Sequence, residues 1–151
     1  MVEYLADDEL VRVRRRGGAL DALHALLGAF PAAYFLLAFL MDIAYVRTAY
    51  WMWEYFSIWL ITAGLVAGVL AVLVGIVDWL VRRREVRGHG SRWHAFITLV
   101  ALLLGLLNAF YHSRDGWTAV VPEGIILSGV TALLLIVAAF LGAASSRRAV
   151  G

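Results

Sequence analysis

The apolar residues of this chain run in four long stretches, with polar segments before, between and after them. Residues 1–18 (MVEYLADDELVRVRRRGG) are polar and pass from acidic to basic. Apolar stretches then cover about residues 20–45, 55–81, 93–111 and 121–144, and residues 145–151 are polar again. Each stretch is close to the ~20 residues that a helix needs to cross ~30 Å of hydrocarbon. Hydrocarbon offers no partner to an open backbone group, so the helix is the expected spanning form. The pattern predicts an all-α integral membrane four-helix bundle over 19–144. The short connections predict up-down-up-down order.

Composition agrees. The chain has 151 residues, 63% hydrophobic and 16% charged, with a mean hydropathy of +0.83. A water-soluble domain of this length has too little interior to hide so much apolar surface. Cysteine is absent. That excludes disulfides, thiolate metal sites and a cysteine nucleophile, and leaves histidine and carboxylate as ligands for any cofactor.

The net charge of +2 says less than its distribution. All 13 cations are arginine. Arg12, Arg14, Arg15 and Arg16 precede the first stretch, Arg82, Arg83, Arg84, Arg87 and Arg92 separate the second from the third, and Arg147 and Arg148 follow the fourth. Arg47 and Arg114 fall on the other side. The positive-inside rule then places both termini in the cytoplasm, as expected for the cytoplasmic (inner) membrane of a prokaryote. Tyr50, Trp51, Trp53 and Trp117 suit the outer headgroup layer, and Trp79 and Trp93 the inner one. The N-terminal segment reads as a solvated cytoplasmic tail that sets topology, or as a short amphipathic helix on the anionic leaflet.

Ionisable groups inside hydrocarbon are costly and point to function. On the first helix His24, Gly28, Pro31, Phe35, Ala38 and Asp42 form one stripe, and on the third His94, Thr98, Ala101, Gly105, Asn108 and His112 repeat the same steps. Both stripes span 18 residues, five full helical turns. The second helix carries Gly64, Gly68, Ala71, Gly75 and Asp78, and the fourth Gly124, Ser128, Thr131, Leu135, Ala138 and Gly142. Small stripes allow close helix packing and mark the inward faces. The constant offset of 70 residues between the first and third stripes hints at a tandem two-helix repeat.

His24, His94 and Asp78 fall at the cytoplasmic end. Two histidines on diagonal helices suit bis-histidine ligation of haem b, with Asp78 accepting a ring N–H. The same residues suit a transition-metal site, and a membrane histidine also ligates the magnesium of a chlorin pigment. At the outer end Asp42, His112, Asp115 and Glu123 form a second polar group, near Arg47 and Arg114. It holds a single histidine, so an ion pair or an external binding surface is expected there. His89 in RGHGSR is expected in a solvated loop. GxSxG, HExxH and phosphate-cradling glycine loops are absent from the sequence, so no hydrolytic chemistry is expected.

HALLGAFP (His24 to Pro31), Asp42, GLVAGVLAVLVGIVDWL with Gly75 and Asp78, and His94 at the opening of the third helix together carry a resemblance. Over about Ala19 to Ala144 the chain resembles the bacterial membrane family called domain of unknown function 2231. That family typically has a proline directly after its first histidine, where this chain has Ala25. Some members are fused to Rieske-type or cytochrome domains, which implies electron transfer. The expected function is therefore a haem b (or metal) membrane subunit that passes electrons to a separate redox partner. The competing expectation is a non-catalytic accessory subunit of a larger membrane complex, either without a cofactor or associated with a chlorin pigment. Expected partners are the lipid bilayer and other membrane or redox subunits, or further copies of the chain; no nucleic acid is expected.

Overall fold

A computed structural model describes residues 19–81, 89–114 and 116–148. The N-terminal segment, with its four arginines, lies outside the described residues, as do Arg82, Arg83, Arg84, Arg87 and Asp115. Nearly every described residue is helical. The elements are α1 (Ala19–Thr48), α2 (Trp51–Val81), α3 (His89–His112), the single turn α4 (Trp117–Val120) and α5 (Glu123–Arg148). Four segments are long and apolar enough to cross a membrane: Ala22–Thr48, Trp51–Leu80, Arg92–His112 and Trp117–Ala144.

The helices outrun the apolar stretches. α1 continues through Arg47 and α2 starts at Trp51 with Glu54 in its first turn. These charges suit the dipoles of the helix ends they occupy. Only Ala49 and Tyr50 join the two helices. Ala49 has φ 51° and donates its N–H to Tyr45 O at 2.7 Å, a left-handed residue ending the helix. α3 begins at His89, so that residue opens a helix instead of sitting in a loop. The fourth apolar stretch is interrupted at Val121–Pro122, because proline has no N–H to continue the ladder.

α1 packs on α2 and α5, and α3 on the same two helices, so α1 and α3 are diagonal. Contacts along α1 and α2 pair Ala38 and Asp42 with Ser57, Phe35 with Gly64, and His24 with Ala71 and Gly75. As one helix ascends the other descends. α3 and α5 do the same, with His112 on Gly124, Asn108 on Ser128, and His94 on Ala138 and Gly142.

The small stripes are the buried faces. Buried positions include Phe35, Ala38 and Asp42 on α1 and Ser57, Ile61, Gly64, Gly68 and Ala71 on α2. They include Ala101, Gly105, Asn108 and His112 on α3 and Gly124, Ser128, Thr131, Leu135 and Ala138 on α5. Large apolar residues cover the opposite faces, Phe110 at 65% and Phe140 at 73% exposed, as a lipid-facing surface requires. Trp51, Trp79, Trp93 and Trp117 stand outward near the helix ends.

Midway along the bundle Phe35, Ala38, Ile61, Ala101, Ala132 and Leu135 form an apolar cluster. Phe35 lies against Gly105 so closely that a Cβ there would stand 2.5 Å from the ring Cζ. At Gly28 an added Cβ would meet nothing within 4 Å. Gly105→Ala is therefore expected to destabilise the bundle by about 1–3 kcal/mol, the usual cost of overpacking. Gly28→Ala is expected to leave it within about 0.5 kcal/mol of the parent, as exposed changes do. Denaturation of both variants in mixed micelles checks the contrast.

Candidate functional site

Asp42 lies on α1 a turn and a half before the helix ends, and it is 0% exposed. A buried carboxylate in an apolar bundle has to collect hydrogen bonds. It takes them from all three other long helices. Ser57 Oγ on α2 donates to Oδ1 at 2.5 Å. His112 Nε2 on α3 stands 3.0 Å from the same oxygen. Ser128 Oγ on α5 donates to Oδ2 at 2.5 Å. Ser57, Ser128 and His112 are themselves 0–1% exposed.

The directions of these bonds follow from what each atom can do. Ser128 spends its only proton on Asp42, so it accepts from Asn108 Nδ2 at 2.8 Å. That fixes the amide of Asn108, whose Oδ1 is buried without a partner. His112 Nδ1 lies 3.1 Å from the backbone oxygen of Asn108, which can only accept, so Nδ1 carries hydrogen. One proton must also lie between Nε2 and Asp42. An imidazolium facing a carboxylate satisfies both contacts. So does a neutral imidazole facing a carboxylic acid. The two states hold the same number of protons, and in both the pair has no net charge.

Backbone packs tightly around the imidazole. A Cβ at Gly124 would stand 3.0 Å from His112 Cε1 and would clash with the carbonyl oxygen of Ala119. Ala119 and Val120 of α4 are 0% exposed and pack with Tyr45 at this end of the bundle.

The other end differs. His24 donates Nδ1–H to Ala71 O at 3.0 Å, and His94 donates Nδ1–H to Ala138 O at 2.7 Å. Each imidazole lies on a glycine of the helix it bonds, Gly75 at 3.0 Å and Gly142 at 3.1 Å from the nearest ring atom to an added Cβ. Asp78 follows Gly75 by one turn and is half-buried. His24, His94, Thr98, Gly75 and Gly142 are half-buried and Gly28 is exposed, so packing is looser here. Thr98 Oγ1 is buried without a partner. Among the described residues no three His, Asp or Glu side chains gather to hold a metal ion.

The two ends share one symmetry. Adding 70 to an α1 position gives its α3 counterpart, and adding 67 to an α2 position gives its α5 counterpart. Thus His24 bonded to Ala71 beside Gly75 is repeated as His94 bonded to Ala138 beside Gly142. Two pairs of counterparts touch directly: Phe35 with Gly105, and Asp42 with His112. Counterparts that touch lie on the axis relating the halves, so a pseudo-twofold axis runs between α1 and α3.

Of the residues expected at the Arg-poor end, the structure unites Asp42 and His112. Glu123 is the exposed first residue of α5. Arg114 stacks over the Tyr111 ring at 4.5 Å, and Arg47 is exposed. Ser57 is the partner that the hydropathy pattern leaves unmarked, although it sits seven residues before Gly64 on the same stripe. Asn108 and Ser128 stand in that pattern as stripe positions, and only the structure gives them chemistry.

A family described as "Predicted membrane protein (DUF2231)" matches residues 20–150. No curated protein and no solved structure matches the chain.

Asp42→Ala strands His112 and both serines, and is expected to cost about 3–5 kcal/mol, as when one member of a buried pair is removed. Ser57→Ala or Ser128→Ala should cost about 0.6–1.7 kcal/mol, the range for single hydrogen bonds between membrane helices. Denaturant titration in mixed micelles ranks the three. Equal small effects would show that Asp42 is not the centre of the network.

Proposed function

The chain belongs to the DUF2231 family of membrane proteins, and from that premise we propose that it is an electron-transfer subunit holding haem b between His24 and His94. The observation that carries this reading is the repeated Nδ1–H bond to a carbonyl of the paired helix. Ligating histidines are usually oriented in this way, with one ring nitrogen donating to a fixed acceptor and the other left to bind metal. The two imidazoles are counterparts across the axis on which Phe35 meets Gly105 and Asp42 meets His112, so two diagonal helices would each supply one histidine to hold the group.

The surroundings fit a large group. The bundle is loosely packed at this end, Gly28 has open space beside it, and its counterpart Thr98 carries a buried hydroxyl without a partner. Bound there, haem supplies one-electron chemistry. The chain itself would orient both rings through the Nδ1–H bonds, leave Nε2 of each to bind, and close the far side with Phe35. A small metal ion with Asp78 as third ligand gains less support, since these three residues do not gather.

In this reading the bundle runs up-down-up-down with both termini in the cytoplasm of a prokaryotic cell. His24 and His94 then lie toward the arginine-rich side, near Trp79 and Trp93, where a separate redox partner would meet the protein.

The test is an absorption spectrum of the purified full-length protein, oxidised and then reduced with dithionite. A Soret band and a sharp α-band are expected, and His24→Ala and His94→Ala should each abolish them. Colourless protein expressed with haem supplied, or colour surviving in both variants, overturns the assignment. A magnesium chlorin would show instead as absorption that does not respond to dithionite.

A further inference from the structure

We propose that Asp42 and His112 form a binding site for one exchangeable proton, reached from the Arg-poor end of the bundle and closed toward the His24 end. This does not depend on His24 or His94.

The geometry separates this pair from a plain structural ion pair. One proton lies between Oδ1 and Nε2, 3.0 Å apart. Moving it from one atom to the other breaks one N–H bond, makes one O–H bond and displaces no heavy atom. Ser57 Oγ sits 2.5 Å from Asp42 Oδ1, 3.3 Å from Ala38 O and 3.4 Å from His112 Nε2. Rotation of this one hydroxyl therefore serves both states of the pair. When the proton leaves to water, Oδ1 would face the lone pair of Nε2. Ser57 can then donate to one of these atoms, and Ser128 still donates to Oδ2. A purely structural clamp has no need of a hydroxyl with three acceptors.

Access is one-sided. His112 is the last residue of α3, and the exposed Ser113 and Arg114 follow it. On that side Ala119 and Val120 of α4 pack with Tyr45, Trp53, Val121 and Ile125, a thin layer at the end of the bundle. Toward the other end stand the apolar Phe35, Ile61, Ala101, Ala132 and Leu135, and the one hydroxyl on the α5 stripe there, Thr131 Oγ1, is buried without a hydrogen-bond partner and so links to no relay. Among the described residues, the other ionisable side chains toward this end of the packed elements are Tyr45 and Arg47 on α1, Tyr50 between α1 and α2, Glu54 and Tyr55 on α2, Tyr111 at the end of α3 with Arg114 beyond it, and Glu123 on α5; α4 has none. Tyr45 hydrogen-bonds Glu54, and Arg47, Tyr55, Arg114 and Glu123 are exposed.

The test uses full-length protein with ¹⁵N-labelled histidine in lipid nanodiscs. His112 resonances, assigned by their loss in His112→Gln, are followed from about pH 5 to about pH 10, a span that brackets the ordinary histidine range. In parallel the Asp42 carboxyl stretch is followed in the infrared. Loss of one proton per chain from the pair is expected, and Asp42→Asn should remove the transition from the His112 resonances. Signals that stay constant over the whole range would make the pair a permanent clamp and overturn the proposal. So would an unchanged transition in Asp42→Asn, which would belong to a lone histidine. If that variant does not accumulate, the wild-type carboxyl band decides, since a free histidine leaves it unmoved.

Discussion

The carboxylate of Asp42 sets the terms for the rest of the bundle. An ionisable group at this depth has no water, so its acceptor capacity has to be met by protein. Ser57, His112 and Ser128 meet it from three helices. Short polar side chains reach only a few ångströms, so all four helix axes must come close at this level. That is why small residues line the seams. Gly124 leaves no room beside His112 and Ala119, and Gly105 leaves none beside Phe35. In lipid, where apolar burial does not drive association, close contact and a shared polar centre provide the specificity of assembly.

The second organising fact is duplication. Two hairpins are built on the same plan, and each histidine near a helix start bonds a carbonyl of its own hairpin. At each end of the axis the symmetry sets one residue opposite its counterpart, and the two ends differ in what they pair. At one end the counterparts are Asp42 and His112, which complement each other and touch. Two aspartates there would repel, and two histidines with hydrogen on Nδ1 would bring two Nε2 lone pairs together with no donor between them, so the pair also favours union of unlike halves over union of like ones. At the other end the counterparts are His24 and His94, identical groups each bonded to a carbonyl of its own hairpin.

Much of this architecture is legible in the amino-acid pattern alone. The stripes at helical spacing are the buried faces, because helix geometry maps spacing onto faces with little ambiguity. The 70-residue offset is visible there too. The repeat is faint in sequence because its second half runs at 67: Ser57 follows Asp42 by 15 residues, whereas Gly124 follows His112 by 12. A shortened connection breaks a constant offset without changing the packing. Ser57 is hidden because hydropathy starts the second apolar run at Tyr55, near a charged, aromatic boundary, while the helix begins four residues earlier. The meeting of Asp42 with His112 is a matter of relative depth, which depends on turn lengths and on close packing at Gly124, and neither is a matter of hydropathy. The Trp117–Val120 turn merges with the fourth span for the same reason, since Pro122 interrupts the backbone without interrupting hydrophobicity.

The two ends are insulated from each other by chemistry, and this constrains how they can act together. His24 and Asp42 are 18 residues apart on one helix, roughly 27 Å at 1.5 Å per residue. Between them Phe35, Ala38, Ile61, Ala101 and Leu135 offer no side-chain hydrogen bond, and the hydroxyl of Thr131 is buried without a partner, so no side-chain relay joins the two ends. What joins them is packing: Phe35 lies in the notch of Gly105, where an added Cβ would stand 2.5 Å from its ring Cζ, and there α1 and α3 meet midway. Close packing of this kind leaves neither helix free to shift alone at that level.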